Sequence, residues 1–107
     1  MATVKSGYLQ KLSGFFKRNW KKQYFVLHQD GKLLYCEQAG EEYSTGHQVN
    51  VKYGCHRIDY GYEVEVDAQN KAADRAACLF SINTTQKTIF LLADTEQDAR
   101  DWVQKLK

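Results

Sequence analysis

Hydrophobic residues recur at a spacing of two along most of this chain and at helical spacing only near its end. In Trp20–His28, WKKQYFVLH, an extended backbone places Trp20, Lys22, Tyr24 and Val26 on one face and Lys21, Gln23, Phe25 and Leu27 on the other. Gly7–Leu12 before it and Lys32–Glu37 after it read as neighbouring strands. Asp30-Gly31 between the second and third has the composition of a two-residue hairpin turn, with φ > 0 at both positions. Gln48–Lys52, with Val49 and Val51 on one face, predicts a fourth strand, and Cys55–Val66, broken at Gly61, a fifth. Asp67–Ala76 reads as a polar excursion or a helical turn. Ala77–Asn83 and Lys87–Ala93 predict the sixth and seventh strands, joined by the tight turn Thr84-Thr85-Gln86.

The terminal segment is helical. Thr95 is a good N-cap, with Asp98 three residues on in the capping-box position. Glu96 and Asp98 suit the positive helix start, and Lys105 and Lys107 the end. Ala99, Trp102, Val103 and Leu106 form one apolar stripe, which must lie on something apolar. Seven strands and one helix predict a mainly β fold, a curved antiparallel sheet or barrel plugged by the helix. The strands lie within 7–93 and the helix within 95–107, so 1–107 reads as one domain. Trp20, at a strand start, and Trp102, on the helix stripe, read as core residues.

Charge changes the picture. Within residues 1–35, Lys5, Lys11, Lys17, Arg18, Lys21, Lys22 and Lys32 oppose only Asp30, a local charge of +6. The whole chain carries +2, so residues 36–107 sum to −4. Such polarity points to an anionic partner. No apolar stretch approaches the ~20 residues of a membrane span. The N-terminus lacks the apolar stretch of a signal peptide and a glycine at position 2, so membrane contact is expected to be peripheral, on a cytoplasmic protein. Cys36, Cys55 and Cys78 have neither disulfide-framework nor zinc spacing. His28, His47 and His56 show no catalytic or metal spacing, though His47 could face a mouth between loops. No cofactor, metal or catalytic constellation is expected. A sequence pI of 8.4 falls short of a nucleic-acid footprint.

The segments SGYLQKL, WKKQYFVL, DGKLLYCE and TIFLLADTEQDARDWVQKL, in that order, resemble the pleckstrin homology (PH) domain over essentially the whole length. The resemblance implies two near-orthogonal antiparallel sheets forming a seven-stranded barrel or sandwich, capped by the C-terminal helix. It also implies a ligand mouth formed by the loops after strands 1, 3 and 6. Inositide-binding members use a lysine late in strand 1 and two basic residues early in strand 2; here those positions hold Lys11, Lys21 and Gln23. An amide cannot replace the bidentate, charge-assisted contact of arginine. Tyr35 matches a phosphate-bonding tyrosine, and Glu41 and Glu42 would disfavour a highly charged headgroup.

The start of the chain, M-x-x-V-K-S-G-Y-L, with K-R-N-W-K-K and Gln23 just before Tyr24-Phe25, is similar to the evectin PH domains. That resemblance implies phosphatidylserine as ligand, recycling-endosome or Golgi membranes as location, and Lys11, Arg18 and Lys21 as headgroup residues. In the loop GFFKR, Phe15 and Phe16 suit the edge of the acyl region, while Lys17 and Arg18 stay with phosphates. The expected headgroup set is thus Lys11, Lys17, Arg18, Lys21, Gln23 and Tyr35, on an anionic phospholipid membrane rich in phosphatidylserine or a phosphoinositide. The alternative is a PH-fold scaffold for a protein partner, with Glu63, Glu65 and Asp67 as its surface.

Overall fold

A computed structural model describes residues 2–14, 18–41, 46–53 and 55–107. The strands are β1 (Thr3–Ser13), β2 (Asn19–His28), β3 (Lys32–Cys36), β4 (His47–Asn50), β5 (Cys55–Tyr60), β6 (Leu79–Thr84) and β7 (Thr88–Leu92). The helices are α1 (Val66–Ala72) and α2 (Glu96–Leu106). All ladders are antiparallel, in the order β4-β3-β2-β1-β7-β6-β5. The two sheets implied by the resemblance are continuous here: β1 joins β7 where Gln10 pairs with Leu92 and Lys11 with Leu91.

The period of two decides what lies inside. Leu9, Phe25, Leu27, Leu33, Tyr35, Phe80, Ile82, Ile89 and Leu91 all point to one core, and Ala99, Trp102, Val103 and Leu106 of α2 close it. Trp102 is 1% exposed. Thr95 caps α2 as its residue type predicts, its side chain accepting from the Asp98 N–H at 3.1 Å. Lys5 ties β1 to the same helix through Asp98 at 2.9 Å and Asp101 at 2.7 Å. Burial acts to lower the Lys5 pKa, but its hydrogen bonds to Asp101 and Asp98 outweigh it and leave the ammonium above its ordinary value.

Two expectations need correction. The β2–β3 connection is not a two-residue turn: Leu27 pairs with Leu33, the strands end at His28 and Lys32, and three residues lie between. Only Gly31 takes positive φ (+93°), and a Cβ there would sit 2.7 Å from Lys52 Cγ. Asp30 instead accepts the Lys32 N–H at 3.1 Å, an Asx-type contact that needs no positive φ. The fifth strand stops at Tyr60, where Gly61–Glu63 forms a 3-10 turn with Gly61 at φ +63°.

Trp20 packs in the core as expected, but not in the core of Trp102. It lies half-buried on the face opposite Phe25, with Phe90 and Cys78, against a second cluster of Val64, Ala68, Ala72, Leu79 and Leu92. The segment expected as a polar excursion or a helical turn is helical, and it supplies that cluster's cover. α1 buries Ala68 and Ala72, and the Lys71 carbonyl accepts from Trp20 Nε1 at 2.9 Å.

Candidate functional site

In the β1–β2 ladder Lys11 stands directly opposite Lys21. Residues paired across an antiparallel ladder project to the same side, so both lysines share the face of Leu9 and Phe25 near the β1–β2 loop. Like charges in this position repel, and Glu37, 2.9 Å from Lys21, offsets part of that repulsion. Lys21, Gln23, Glu37, Glu41, His47 and Ser13 line an open cleft of about 500 Å³ there, with Cys36 at its wall.

Tyr35 forms the inner end of this region. It is 3% exposed and stacks on Phe25 at 5.2 Å between centroids. The His47 ring lies 5.4 Å away on its other side. Lys11 Nζ sits 5.8 Å and Lys87 Nζ 5.9 Å from the Tyr35 ring centroid. Lys87 Nζ also donates to the Tyr35 hydroxyl at 3.2 Å. Among the described residues, neither Lys11 nor Lys87 meets a carboxylate. Burial, and then the nearby Lys87 charge, push the Lys11 pKa below its ordinary value.

The remaining expected residues separate into groups. Lys21 reaches into the cleft but is held at 2.9 Å by Glu37, whose carboxyl its hydrogen bond and charge keep below the usual value. Gln23 shares the cleft wall with Lys21, as the strand alternation requires. Lys22 points the other way, its ammonium 4.9 Å over the Tyr8 ring. Arg18 is not brought beside Lys11 and Lys21. Its Nη2 lies 3.7 Å from Glu65 and its guanidinium 5.3 Å from the Phe90 centroid, beside the α1-covered cluster. Phe15, Phe16, Lys17 and Glu42 lie outside the described residues.

Lys87 was not among the expected residues, although the signal existed. It continues the inward period of Ile89 and Leu91, and it follows directly on the turn at the mouth. Thr84 and Thr85, in the turn before Lys87, line a separate small cleft with Gln48, Val49, Asn50 and Gln86. The Thr84 hydroxyl is used within the turn: it donates to the Lys87 carbonyl at 2.7 Å and accepts the Lys87 N–H at 3.0 Å. That pair of bonds fixes the backbone from which Lys87 projects.

A family model for the PH domain matches residues 3–107. The chain belongs to the PH domain family. It is 36% identical over 103 residues to mouse pleckstrin homology domain-containing family B member 2, covering 95% of this chain and 45% of that protein. It is 31% identical over 128 residues to the Arabidopsis thaliana ADP-ribosylation factor GTPase-activating protein AGD2, covering 96% of this chain and 16% of that one. The chain thus spans less than half the length of these relatives.

Among solved structures it resembles the C-terminal PH domain of pleckstrin in complex with D-myo-Ins(1,2,3,5,6)P5, with a TM-score of 0.70, 27% identity and coverage of 98% of this chain and 92% of that one. The PH domain of mouse Ethanol decreased 4 protein shares the fold, with a TM-score of 0.69, 16% identity and coverage of 100% and 86%. The PH domain is a non-catalytic module that binds lipids or proteins. No helix among the described residues is long and apolar enough to cross a membrane.

Proposed function

We propose that this PH domain recruits the protein that carries it to anionic membranes, gripping a phospholipid headgroup at the mouth, with phosphatidylserine preferred over polyphosphorylated inositides. One observation carries the reading: Lys11 and Lys87 converge on Tyr35 without a carboxylate beside either among the described residues. Burial and mutual repulsion both act against the Lys11 charge, and a bound phosphate relieves both. The Tyr35 hydroxyl accepts from Lys87, which leaves its own proton to donate to the same phosphate.

The preference for a modest charge follows from the cleft beside Lys21, the ladder partner of Lys11. Gln23 stands where an arginine would add a bidentate phosphate contact, and Glu37 and Glu41 line the same cleft. Three lysines near an anionic leaflet contribute on the order of 1 kcal/mol each, screened over roughly 8 Å at physiological salt. About 3 kcal/mol corresponds to millimolar binding, so recruitment through these lysines alone is weak and reversible. Stable residence requires a second attachment, and phosphatidylserine-rich cytosolic leaflets such as those of recycling endosomes are the target.

The test is Gln23→Arg, titrated beside the parent domain with phosphatidylserine vesicles and with phosphatidylinositol bisphosphate vesicles at equal surface charge. The new guanidinium shares the wall with Lys21 and should add a contact of about 1.5–3 kcal/mol, roughly 10- to 100-fold, for the inositide. The gain for phosphatidylserine should be several times smaller. An equal gain for both lipids means that position 23 only adds to the general field. Lys22→Ala, on the opposite face, is the control for that field and should leave the lipid preference unchanged.

A further inference from the structure

A second cleft, of about 590 Å³, opens between the turn Gly61–Glu63, the turn Ala76–Cys78 and the first turns of α2. It lies at the end of the barrel away from the mouth. The β5–β6 ladder shows this: Cys55 pairs with Thr84, next to the turn that carries Lys87, whereas Tyr60 pairs with Phe80 at the far end. The run from Cys55 to Tyr60 spans about 17 Å at ~3.3 Å per residue.

Its floor is apolar and fixed. The Tyr60 hydroxyl donates to the Ala77 carbonyl at 2.6 Å, holding the ring against Ala76 and Ala77. Tyr62 stands at the rim with 84% of its surface exposed. The rim is acidic. Glu63, Asp74 and Glu96 face one cation, Arg100, which Glu96 already engages at 2.7 Å and which lies 6.0 Å over the Tyr60 ring. Glu63 accepts the Tyr60 N–H at 3.0 Å, which fixes its carboxylate at the cleft edge.

The geometry points to a docking site here for a segment of a partner protein in which an apolar side chain is flanked by lysine or arginine. The apolar anchor enters beside Tyr60, Ala76 and Ala77 while its basic neighbours meet Asp74 and Glu63. The charge complementarity is directional. The mouth at the other end, with Lys11, Lys21 and Lys87, repels the same segment, so a basic partner is steered to the acidic end. A domain lying mouth-down on an anionic membrane leaves this cleft facing away from it, and lipid and partner can be held together. Such a partner is the second attachment that weak lipid binding requires.

The experiment is an NMR titration of the ¹⁵N-labelled domain with a short synthetic peptide in which leucines are separated by lysines, beside a peptide with glutamate in place of lysine. The basic peptide should shift the amides of Tyr62, Asp74, Ala77 and Arg100 saturably, and the acidic peptide should not. Tyr62→Ser combined with Asp74→Lys, both at exposed positions, should weaken binding roughly tenfold or more. The same variant should keep its thermal midpoint and its sedimentation with phosphatidylserine vesicles. The proposal is overturned if the basic peptide causes no saturable shifts, if the shifts map elsewhere, if the acidic peptide binds as well, or if the double variant binds like the parent. Concentration-dependent shifts at these amides without peptide would identify a second copy of the chain as the occupant, and would overturn it too. Because vesicle sedimentation is read separately, loss of lipid binding leaves the peptide result interpretable.

Discussion

Lys11→Met separates function from stability within one residue. In the parent, the distances of the two ammonium groups to the Tyr35 centroid, 5.8 Å for Lys11 and 5.9 Å for Lys87, cap their separation at 11.7 Å. Coulomb's law at that largest separation gives a repulsion of at least about 0.4 kcal/mol in a water-like dielectric and at least about 1.4 kcal/mol at an effective dielectric of 20. Lys87 is exposed and salt screens it, so the lower part of that range applies. Methionine keeps most of the length and apolar stem of lysine and removes the charge. The sign follows from the lowered pKa of Lys11. The folded state holds this proton less tightly than the unfolded chain does, so charging Lys11 opposes folding at neutral pH.

Lys11→Met should therefore match or exceed the parent's thermal midpoint at pH 7, by up to a few degrees for a domain of this size. The same substitution should weaken binding to phosphatidylserine vesicles roughly 5-fold, the value of one lysine at ~1 kcal/mol. The assays are thermal denaturation followed by circular dichroism, and vesicle sedimentation at fixed salt. A midpoint several degrees lower would show that Lys11 supports the fold. Unchanged sedimentation with a normal midpoint would remove the Lys11–Lys87 pair from the binding site and take the proposed function with it.

Trp102→Ala, which empties a fully buried site under α2, should cost about 3–5 kcal/mol and unfold a marginal domain; a parent-like midpoint would contradict the role of the helix as cap. Ala73 holds φ +57° and ψ −123°, a region that disfavours a Cβ, so Ala73→Gly should raise stability by about 1 kcal/mol in chemical denaturation, and a loss would mean the strain is absent. Hydrogen bonds from Lys105 and then Lys5 hold the Asp101 carboxyl down from 3.8 to about 2. Its folded-state pKa is depressed, so its contribution is present above the unfolded value and lost as pH falls from about 4 to about 2. Asp101→Asn should thus lower the thermal midpoint at pH 6, and the difference from the parent should shrink steadily between about pH 4 and pH 2; a constant gap would assign the effect to packing.

Local periodicity carried much of the fold. The alternation in WKKQYFVLH places Phe25 and Leu27 inside and Lys21 and Gln23 on the same side, because a pleated strand has no other choice. The Ala99, Trp102, Val103 and Leu106 stripe and the Thr95 cap are equally local, since helix geometry links residues three and four apart. The pairing of Lys11 with Lys21 was within reach too, because a hairpin's register follows from its two strands. What the chain alone could not decide was everything that depends on which distant face meets which. Lys87 joins Tyr35 from 52 residues away, and Trp20 meets Lys71 from 51 away. Arg18 turns toward Glu65 and Phe90 because α1 folds over the outer side of the sheet, a packing choice written in the shapes of Ala68, Ala72, Leu79 and Leu92 together. Even the β2–β3 turn needed this level: Asp30-Gly31 announced a reversal, but the space beside Gly31 is taken by Lys52, which follows the neighbouring strand β4. Periodicity acts within one element and is readable residue by residue; the assembly of a site sums over elements, and only the folded sheet with its capping helix performs that sum.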